Sequence, residues 1–400
     1  MADSPATTFS IVIPAYNEED ALGPTLDRCL QLRDDPVLKE VAADLEVIVV
    51  NDGSRDRTRD VVLAKGDGVR LVEHEHNRGY GAALKTGFRT ARGDLLGFLD
   101  ADGTCDPRHF AALLRALRED GADLVVGMRL TAATQMPLVR RIGNRFYATL
   151  ITALTGRRVH DAASGMRVFH RRILESLFPL PNGLSFTTAM STKAIHEHLK
   201  VAEVPIPYAE RAGRSKLNVL RDGIAFLRVI LTLVLLYNPL KLFSVLAVLL
   251  FLGAVGLLAL PLWDWILGTP LPEGFYIYRA LAAVSGIAGG VTAFSVGLSA
   301  SLLMETLYRP HGQYGSLARL AVRTRLPQRL GLLGGLLLAG GLGVYAVFAW
   351  EHFFGVRPVM HWKWFAGASV LVITGIQLLA TWLIVKLLDA HRQMRDAELR

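Results

Sequence analysis

Residues 9–18 read FSIVIPAYNE, in which an apolar run of strand length is followed directly by polar side chains. Only Ser10 interrupts the apolar character of Phe9–Ala15, so the run lacks the alternation of a strand with one solvated face. Strands that are apolar on both sides are typical of a parallel sheet covered by helices on both faces. This stretch therefore favours an α/β fold.

The residues that follow, up to position 128, repeat the pattern. Further strand-like runs are LEVIVV (45–50), VRLVEH (69–74), DLLGFLD (94–100) and ADLVVGM (122–128), and segments such as 21–32 and 108–119 have helical length and composition. Strands that alternate with helices indicate parallel strands joined by crossover helices. We predict a doubly wound, mostly parallel sheet.

Distinctive polar segments follow four of these strands, at the sheet edge where ligands of such folds bind. They are PAYNE (14–18), NDGS (51–54), HNRGYG (76–81) and DADG (100–103). The turn at Gly79 and Gly81 is explained equally well by close helix packing and by phosphate contact, because the full dinucleotide-binding pattern is missing. Asp52 has two possible roles: it forms a turn, or it accepts hydrogen bonds from donors on the base or the ribose.

The pair Asp100 and Asp102 is the strongest chemical signal, because it follows the strand DLLGFLD without a basic residue between the two carboxylates. Neighbouring carboxylates repel each other, a cost that a divalent cation removes. Such a cation typically binds one or two carboxylates together with substrate phosphate oxygens. The pair predicts a metal site; the alternative is one helix cap and one solvated side chain.

The net charge of +8 is carried by the second half of the chain. Residues 1–220 contain 29 basic and 28 acidic side chains, whereas residues 221–400 contain 15 and 8. The second half also holds four uncharged stretches, at about 242–263, 280–304, 330–350 and 364–385. Each can cross a hydrocarbon core of about 30 Å as a helix. We predict an integral membrane protein with four transmembrane α-helices, and no nucleic acid as partner.

The loops between these stretches indicate an orientation. Arginines crowd the loop between the second and third stretches, and basic residues follow the fourth. By the positive-inside rule the middle loop and both termini are cytoplasmic. The segment Gly223–Pro239 is shorter, contains Arg228 and ends in an Asn-Pro break, which predicts an interfacial amphipathic helix that stops near Tyr237. A fifth crossing is the alternative. The predicted domains are 1–222, 223–239 and 240–400.

Six motifs occur in order: PAYNE, NDGS, NRGYGAALKTGF, DADG, DAASGMRVF and ERAGRSKLN. Over residues 8–222 the ordered set resembles the inverting GT-A glycosyltransferases that act on polyprenyl phosphates, such as the dolichol-phosphate mannose synthase family and its undecaprenyl-phosphate relatives. The four apolar stretches resemble the subgroup with its own membrane domain. The resemblance implies a GT-A fold, a nucleotide-sugar donor, Mg²⁺ or Mn²⁺, and a lipid-phosphate acceptor.

The resemblance also implies roles for single residues. It assigns the donor nucleotide to Pro14, Ala15, Tyr16, Glu18, Asp52, Gly81 and Lys85, and the metal to Asp100 and Asp102. These two aspartates and Arg129 are the catalytic candidates, and the acceptor-phosphate candidates are Arg129, Arg145, Ser164, Arg211 and Lys216. Two positions depart from the family pattern, since Thr104 replaces a glutamine that binds metal and Asn51 replaces an acidic residue. The identity of the third metal ligand and the identity of the donor's nucleotide base therefore stay open.

Residues 125–174 hold nine arginines and a single acid, Asp161. A lipid phosphate is already an anion, so its oxygen can attack the sugar without a general base, and the site must supply cations instead. Arg129 is favoured because it follows a strand. Attraction to anionic lipid explains Arg157, Arg158, Arg171 and Arg172, while Asp161 and Ser164 orient an arginine or form a turn.

Together these features predict transfer of one sugar, most simply mannosyl or glucosyl, from a GDP- or UDP-sugar to dolichyl or undecaprenyl phosphate at the cytoplasmic membrane face. A homo-oligomer is compatible with the sequence. A processive polysaccharide synthase is disfavoured because no QxxRW run is present. A four-span transporter with a nucleotide-sensing domain is disfavoured because the uncharged stretches lack the ionisable groups that mark a transport path.

Overall fold

The computed structural model describes residues 7–129, 134–210, 219–237, 239–268, 273–308, 326–354 and 362–398. The chain divides into two compact units, Met1–Leu233 and Val234–Arg400. The boundary falls inside one helix, α9 (Val219–Tyr237), which ends where the Asn-Pro break predicted an end. The predicted domain limits and the interfacial position of this helix stay predictions.

Among the described residues of the first unit, seven strands form one sheet. They are β1 (Thr8–Ala15), β2 (Asp44–Asn51), β3 (Arg70–Glu73), β4 (Leu95–Phe98), β5 (Leu124–Met128), β6 (Arg167–His170) and β7 (Val201–Pro205), in the order β3-β2-β1-β4-β6-β5-β7. Strand β6 runs antiparallel to both of its neighbours, and every other pair is parallel. The mostly parallel sheet is confirmed, whereas β6 and β7 were not predicted.

Helices cover both faces of this sheet. They are α1 (Glu19–Gln31), α2 (Pro36–Val41), α3 (Thr58–Leu63), α4 (Tyr80–Thr90), α5 (Phe110–Glu119), α6 (Leu138–Thr155), α7 (Leu174–Leu177) and α8 (Phe186–His196). Alternate residues of β1 enter different cores: Ile11 and Ile13 pack with α1, α2, α3 and α5, whereas Val12 packs with α4, α7 and α8. This two-sided burial explains why the strands are apolar throughout.

The direction of the antiparallel strand β6 decides which residues reach the edge of the sheet. The carboxyl ends of β1, β2 and β4 meet at one sheet edge, because these strands are parallel and in register. Since β6 runs the other way between β4 and β5, it begins at that same edge. The segment DAASG (161–165), which precedes β6, is therefore delivered to the edge where the parallel strands end.

The second unit contains four long helices among its described residues: α10 (Pro239–Ile266), α11 (Glu273–Tyr308), α12 (Leu326–Phe353) and α13 (Trp362–Glu398). Each includes a stretch long and apolar enough to cross a membrane, Pro239–Leu260, Gly274–Met304, Arg329–Phe353 and Trp364–Leu388. Helices α12 and α13 approach closely, since a Cβ at Gly375 would stand 2.7 Å from the backbone nitrogen of Leu338. The prediction of four apolar helices is confirmed.

Candidate functional site

A cavity of about 610 Å³ lies at the sheet edge where β1, β2 and β4 end. Loops after these strands line it with polar side chains, and α6 and the first turns of α9 line it with apolar and basic ones. The predicted site residues that line it are Pro14, Ala15, Tyr16, Glu18, Asp52, Asp100, Asp102 and Arg129. One cavity thus collects both predicted metal ligands and most of the predicted donor residues.

The loop after β1 is fixed by the loop after β2. The backbone amide of Asn17 donates to the Ser54 hydroxyl (3.0 Å), and the amide of Glu18 donates to the Thr58 hydroxyl (2.9 Å). Asn17 adopts a left-handed backbone (φ 51°), a conformation that asparagine tolerates better than most residues. These contacts hold Tyr16 and Glu18 at the cavity wall.

Asp52 lies at the end of β2 with 3% of its surface exposed. Its carboxylate accepts hydrogen bonds from the backbone amides of Arg78 and Gly79, each at 2.9 Å. Nδ1 of His74 also contacts the carboxylate, at 2.6 Å. Asp52 is therefore held rigidly at the cavity wall.

Asp100 and Asp102 each carry a hydroxyl donor on one carboxylate oxygen. The Tyr80 hydroxyl donates to Oδ1 of Asp100 (2.7 Å), and the Thr104 hydroxyl donates to Oδ1 of Asp102 (2.7 Å). Burial, and next the Asp100 carboxylate, raise the pKa of Tyr80 well above its ordinary value, so its hydroxyl remains a donor. Thr104 is buried and does not line the cavity, so its side chain orients Asp102.

These two aspartates suit a divalent cation. Carboxylate oxygens are the hard donors that Mg²⁺ and Mn²⁺ prefer, and both side chains line the same cavity. Among the described residues, no group of three or more histidine, cysteine or acidic side chains is arranged to hold a metal. Such a cation would therefore take its remaining ligands from substrate phosphate oxygens and water.

Arg129 forms a buried ion pair with Asp161. Its Nε and Nη2 donate to the two carboxylate oxygens at 2.8 and 3.0 Å, its backbone amide donates as well, and Nδ2 of Asn144 adds a further bond at 2.8 Å. Burial opposes charge on both partners, but their mutual attraction outweighs it, raising the pKa of Arg129 and lowering that of Asp161. The guanidinium also lies over the Tyr208 ring, 5.5 Å from its centroid. A fixed positive charge therefore faces the cavity beside Asp100 and Asp102.

Gly81 and Lys85 lie on α4 but do not line the cavity. A Cβ at Gly81 would stand 2.3 Å from the Pro181 carbonyl oxygen, so this glycine permits close backbone packing. Nζ of Lys85 donates to the Leu180 carbonyl (2.9 Å) and to the side chain of Asn182. Both residues therefore anchor the loop 180–183 beside the cavity.

Two basic residues that the sequence analysis did not single out also line the cavity. Arg140 lies on α6 and Arg221 on α9, and they stand among apolar side chains, namely Met136, Val139, Tyr147, Leu184 and Phe226. The Tyr147 hydroxyl donates to the Gly223 carbonyl (2.7 Å), and its ring meets the Phe226 ring edge-on, which joins the two helices. One pattern in the sequence could have identified Arg140 as a cavity residue. It lies four positions before Asn144, and residues four apart share a helix face.

Two of the other predicted acceptor residues, Arg145 and Ser164, do not line the cavity. Arg145 is exposed on α6, and Ser164 is buried, with its hydroxyl accepting from the amide of Met166. Arg211 and Lys216 lie outside the described residues.

Arg171 has a structural role that the sequence did not predict. Its guanidinium donates to three backbone carbonyls around the end of α4, those of Gly93 (2.7 Å), Ala91 (2.7 Å) and Phe88 (3.3 Å). Arg172 is exposed and pairs with Asp123 at 3.0 Å. Arg171 therefore serves the packing of α4 against the sheet.

Family models match both parts of the chain. The model for Glycosyl transferase family 2 matches residues 10–178, and one for a domain of unknown function (DUF8752) matches residues 239–400. The low-salt glycan biosynthesis hexosyltransferase Agl6 of Haloferax volcanii is 32% identical over 225 residues, which cover 54% of this chain and 52% of that protein. The dolichyl-phosphate hexose transferase of the same organism is 35% identical over 219 residues, covering 54% of this chain and 90% of that protein.

A solved structure is also similar. The glucosyl-3-phosphoglycerate synthase of Mycobacterium tuberculosis, in complex with Mn²⁺, uridine diphosphate and glucosyl-3-phosphoglycerate, is 25% identical with a TM-score of 0.45. The match covers 57% of this chain and 79% of that protein.

Proposed function

Because this chain belongs to glycosyl transferase family 2, we propose that it transfers one hexose from a nucleoside-diphosphate sugar to a polyprenyl phosphate, with inversion, at the cytoplasmic membrane face. The observation that carries this proposal is the composition of the cavity. Carboxylates suited to a metal-bound diphosphate and arginines among apolar side chains line the same space. A diphosphate donor and a lipid phosphate need these two environments side by side.

The chemistry is a single displacement. An oxygen of the acceptor phosphate bonds to the anomeric carbon while the bond from that carbon to the donor diphosphate breaks, and the nucleoside diphosphate leaves. Attack from the side opposite the leaving group inverts the anomeric carbon. No general base is needed, because the acceptor oxygen carries a negative charge before it reacts.

The chain's residues divide this work. Asp100 and Asp102, oriented by Tyr80 and Thr104, would hold Mg²⁺ or Mn²⁺. When bound, the cation would offset the charge that develops on the leaving diphosphate. Arg129, held by Asp161 at the cavity wall, would offer a fixed guanidinium to the reacting phosphates.

The acceptor side of the cavity is built by α6 and α9. Arg140 and Arg221 would hold the acceptor phosphate, since arginine binds phosphate oxygens through two parallel N–H groups. Phe226 and Val139 would contact the first prenyl units, because these apolar side chains line the cavity beside the arginines. Arg211 and Lys216 stay proposed acceptor contacts on the strength of the family resemblance.

The outward face of α6 supports action at a lipid surface. Leu138, Ile142 and Phe146 follow a four-residue spacing and are 67%, 61% and 54% exposed. Arg141 and Arg145 are exposed on the same helix. An apolar stripe flanked by arginines suits the boundary of an anionic membrane, which gives Arg145 a role outside the cavity.

The test is a transfer assay with full-length protein in detergent. A panel of radiolabelled UDP- and GDP-hexoses is incubated with dolichyl or undecaprenyl phosphate, and label in the organic phase is counted. We expect label there only when a polyprenyl phosphate is present. Label released as free sugar, or built into long polymers, would contradict the proposal. Asp102→Asn is the inactive control, since it removes one charged ligand.

A further inference from the structure

His74 is a buried histidine beside the cavity, with 8% of its surface exposed. It follows β3 and does not line the cavity. Its Nδ1 lies 2.6 Å from Oδ1 of Asp52, and its Nε2 lies 3.0 Å from the Thr86 hydroxyl on α4. Because a carboxylate only accepts, Nδ1 carries a proton. The ring is thus fixed at both ends between the sheet and α4.

The contacts of Asp52 leave little acceptor capacity. A carboxylate has two oxygens, each with about two acceptor positions. Oδ1 of Asp52 accepts from His74 and from the Arg78 amide, and Oδ2 accepts from the Gly79 amide. The remaining position is on Oδ2, and with 3% of the residue exposed the approach to it is narrow.

We propose that His74 is a positioning residue that saturates one oxygen of Asp52, so that the carboxylate accepts from a single N–H of the donor's base and selects uracil over guanine. The inference rests on the proposed function, because it assumes that the cavity binds a nucleoside-diphosphate sugar. It predicts the base of the donor nucleotide, which the motifs leave open.

The hydrogen-bond edges of the bases give the reason. Uracil presents one donor, N3–H, between two carbonyl oxygens. Guanine presents N1–H and the N2 amino group side by side, and a carboxylate satisfies both only when both of its oxygens can accept. With Oδ1 saturated, one guanine donor would stay buried without a partner, which is costly. Cytosine presents an unprotonated N3, which a carboxylate oxygen repels.

The first measurement is nucleotide binding to the full-length protein in detergent. Dissociation constants for UDP, GDP and CDP are measured by calorimetry with excess MnCl₂. We expect UDP to bind at least about tenfold more tightly than GDP or CDP, the discrimination that one unpaired buried donor supplies. Equal or tighter binding of GDP or CDP would overturn the inference and leave the proposed function standing, whereas failure of all three to bind would overturn both.

The second measurement tests His74 itself. His74→Phe keeps a buried ring but removes the Nδ1 donor, which opens a second acceptor position on Asp52. We expect the preference for UDP over GDP to fall about tenfold, while the KM for polyprenyl phosphate is unchanged. His76→Gln is the matched control, since His76 is exposed two residues away. An unchanged preference in folded His74→Phe would refute the positioning role.

Thr86→Val covers the case in which His74→Phe does not fold. It removes only the partner of Nε2, so His74 keeps its place with less restraint. We expect a smaller loss of UDP preference, in the same direction. A loss of affinity that is equal for UDP and GDP would indicate a purely structural role and would contradict the inference.

Discussion

The replacement of Tyr80 by phenylalanine tests how the proposed metal carboxylates are held. The substitution deletes one hydroxyl, which donates to Oδ1 of Asp100 at 2.7 Å, and leaves the half-buried ring in place. A hydrogen bond to a charged group contributes about 1.5–3 kcal/mol. Since about 1.4 kcal/mol corresponds to a factor of ten in rate, we expect kcat/KM to fall about 10- to 100-fold.

The same substitution should change the metal requirement. With Asp100 no longer held by Tyr80, the concentration of Mn²⁺ at half-maximal activity should rise, because ligands that are not preorganised bind metal less tightly. Transfer to polyprenyl phosphate is measured across a Mn²⁺ titration. Mn²⁺ binding in the presence of UDP is followed separately by electron paramagnetic resonance, which gives a readout independent of turnover.

Tyr147→Phe is the matched control for this experiment. Its hydroxyl also donates at 2.7 Å and the residue lines the same cavity, but the acceptor is the neutral Gly223 carbonyl. A neutral hydrogen bond contributes about 0.5–1.5 kcal/mol, and no carboxylate depends on it. We expect a smaller loss with no change in the Mn²⁺ titration. Equal effects of the two substitutions on both readouts would refute the reasoning.

Further predictions concern stability, membrane contact and topology. Asp161→Asn leaves the buried Arg129 without its charged partner and should lower the free energy of unfolding by about 3–5 kcal/mol, measured by denaturant titration. Because the folded-state pKa of Asp161 is lowered, this loss should be constant around neutral pH and should vanish as pH falls below about 4, towards the folded pKa. Arg171→Lys should lower the free energy of unfolding by about 1–3 kcal/mol, since the donors of an ammonium sit on one atom and cannot reach the three separated carbonyls that the three guanidinium nitrogens reach. Ile142→Asp should reduce activity in anionic liposomes, yet spare UDP binding. A reporter fused near Gly312 should be cytoplasmic.

Each of these predictions has an opposing outcome. Arg172→Lys is the control for Arg171, because Arg172 is exposed, and an equal effect of the two would contradict the packing role. Unfolding free energies of Asp161→Asn that match wild type at neutral pH would show that the ion pair does not stabilise the fold. Full activity of Ile142→Asp in liposomes would contradict the proposal that α6 contacts the membrane surface. An external reporter at Gly312 would mean that Gly223–Pro239 crosses the bilayer.

Much of the fold was readable from the sequence because its determinants are local. The apolar runs at β1, β2 and β4 and the segments of helical length between them fixed a parallel α/β sheet, since a strand buried on both faces cannot tolerate alternating polar residues. The four uncharged stretches fixed the apolar helices in the same way. The position of Asp100 and Asp102 followed as well, because parallel strands bring their carboxyl ends to one edge.

The sequence by itself determined which elements form and which loops share the sheet edge, whereas only the tertiary structure decided what each polar side chain does there. The arginines between 125 and 174 are equivalent as charges, yet Arg129 pairs with Asp161 at the cavity and Arg171 binds backbone carbonyls around the end of α4. Their difference comes from the antiparallel insertion of β6, a pairing between strands that no local pattern specifies. His74 was likewise an unremarked strand-end histidine until the fold set it against Asp52. Charge and periodicity are local properties, but the partner of a buried polar group is chosen by residues distant in the chain.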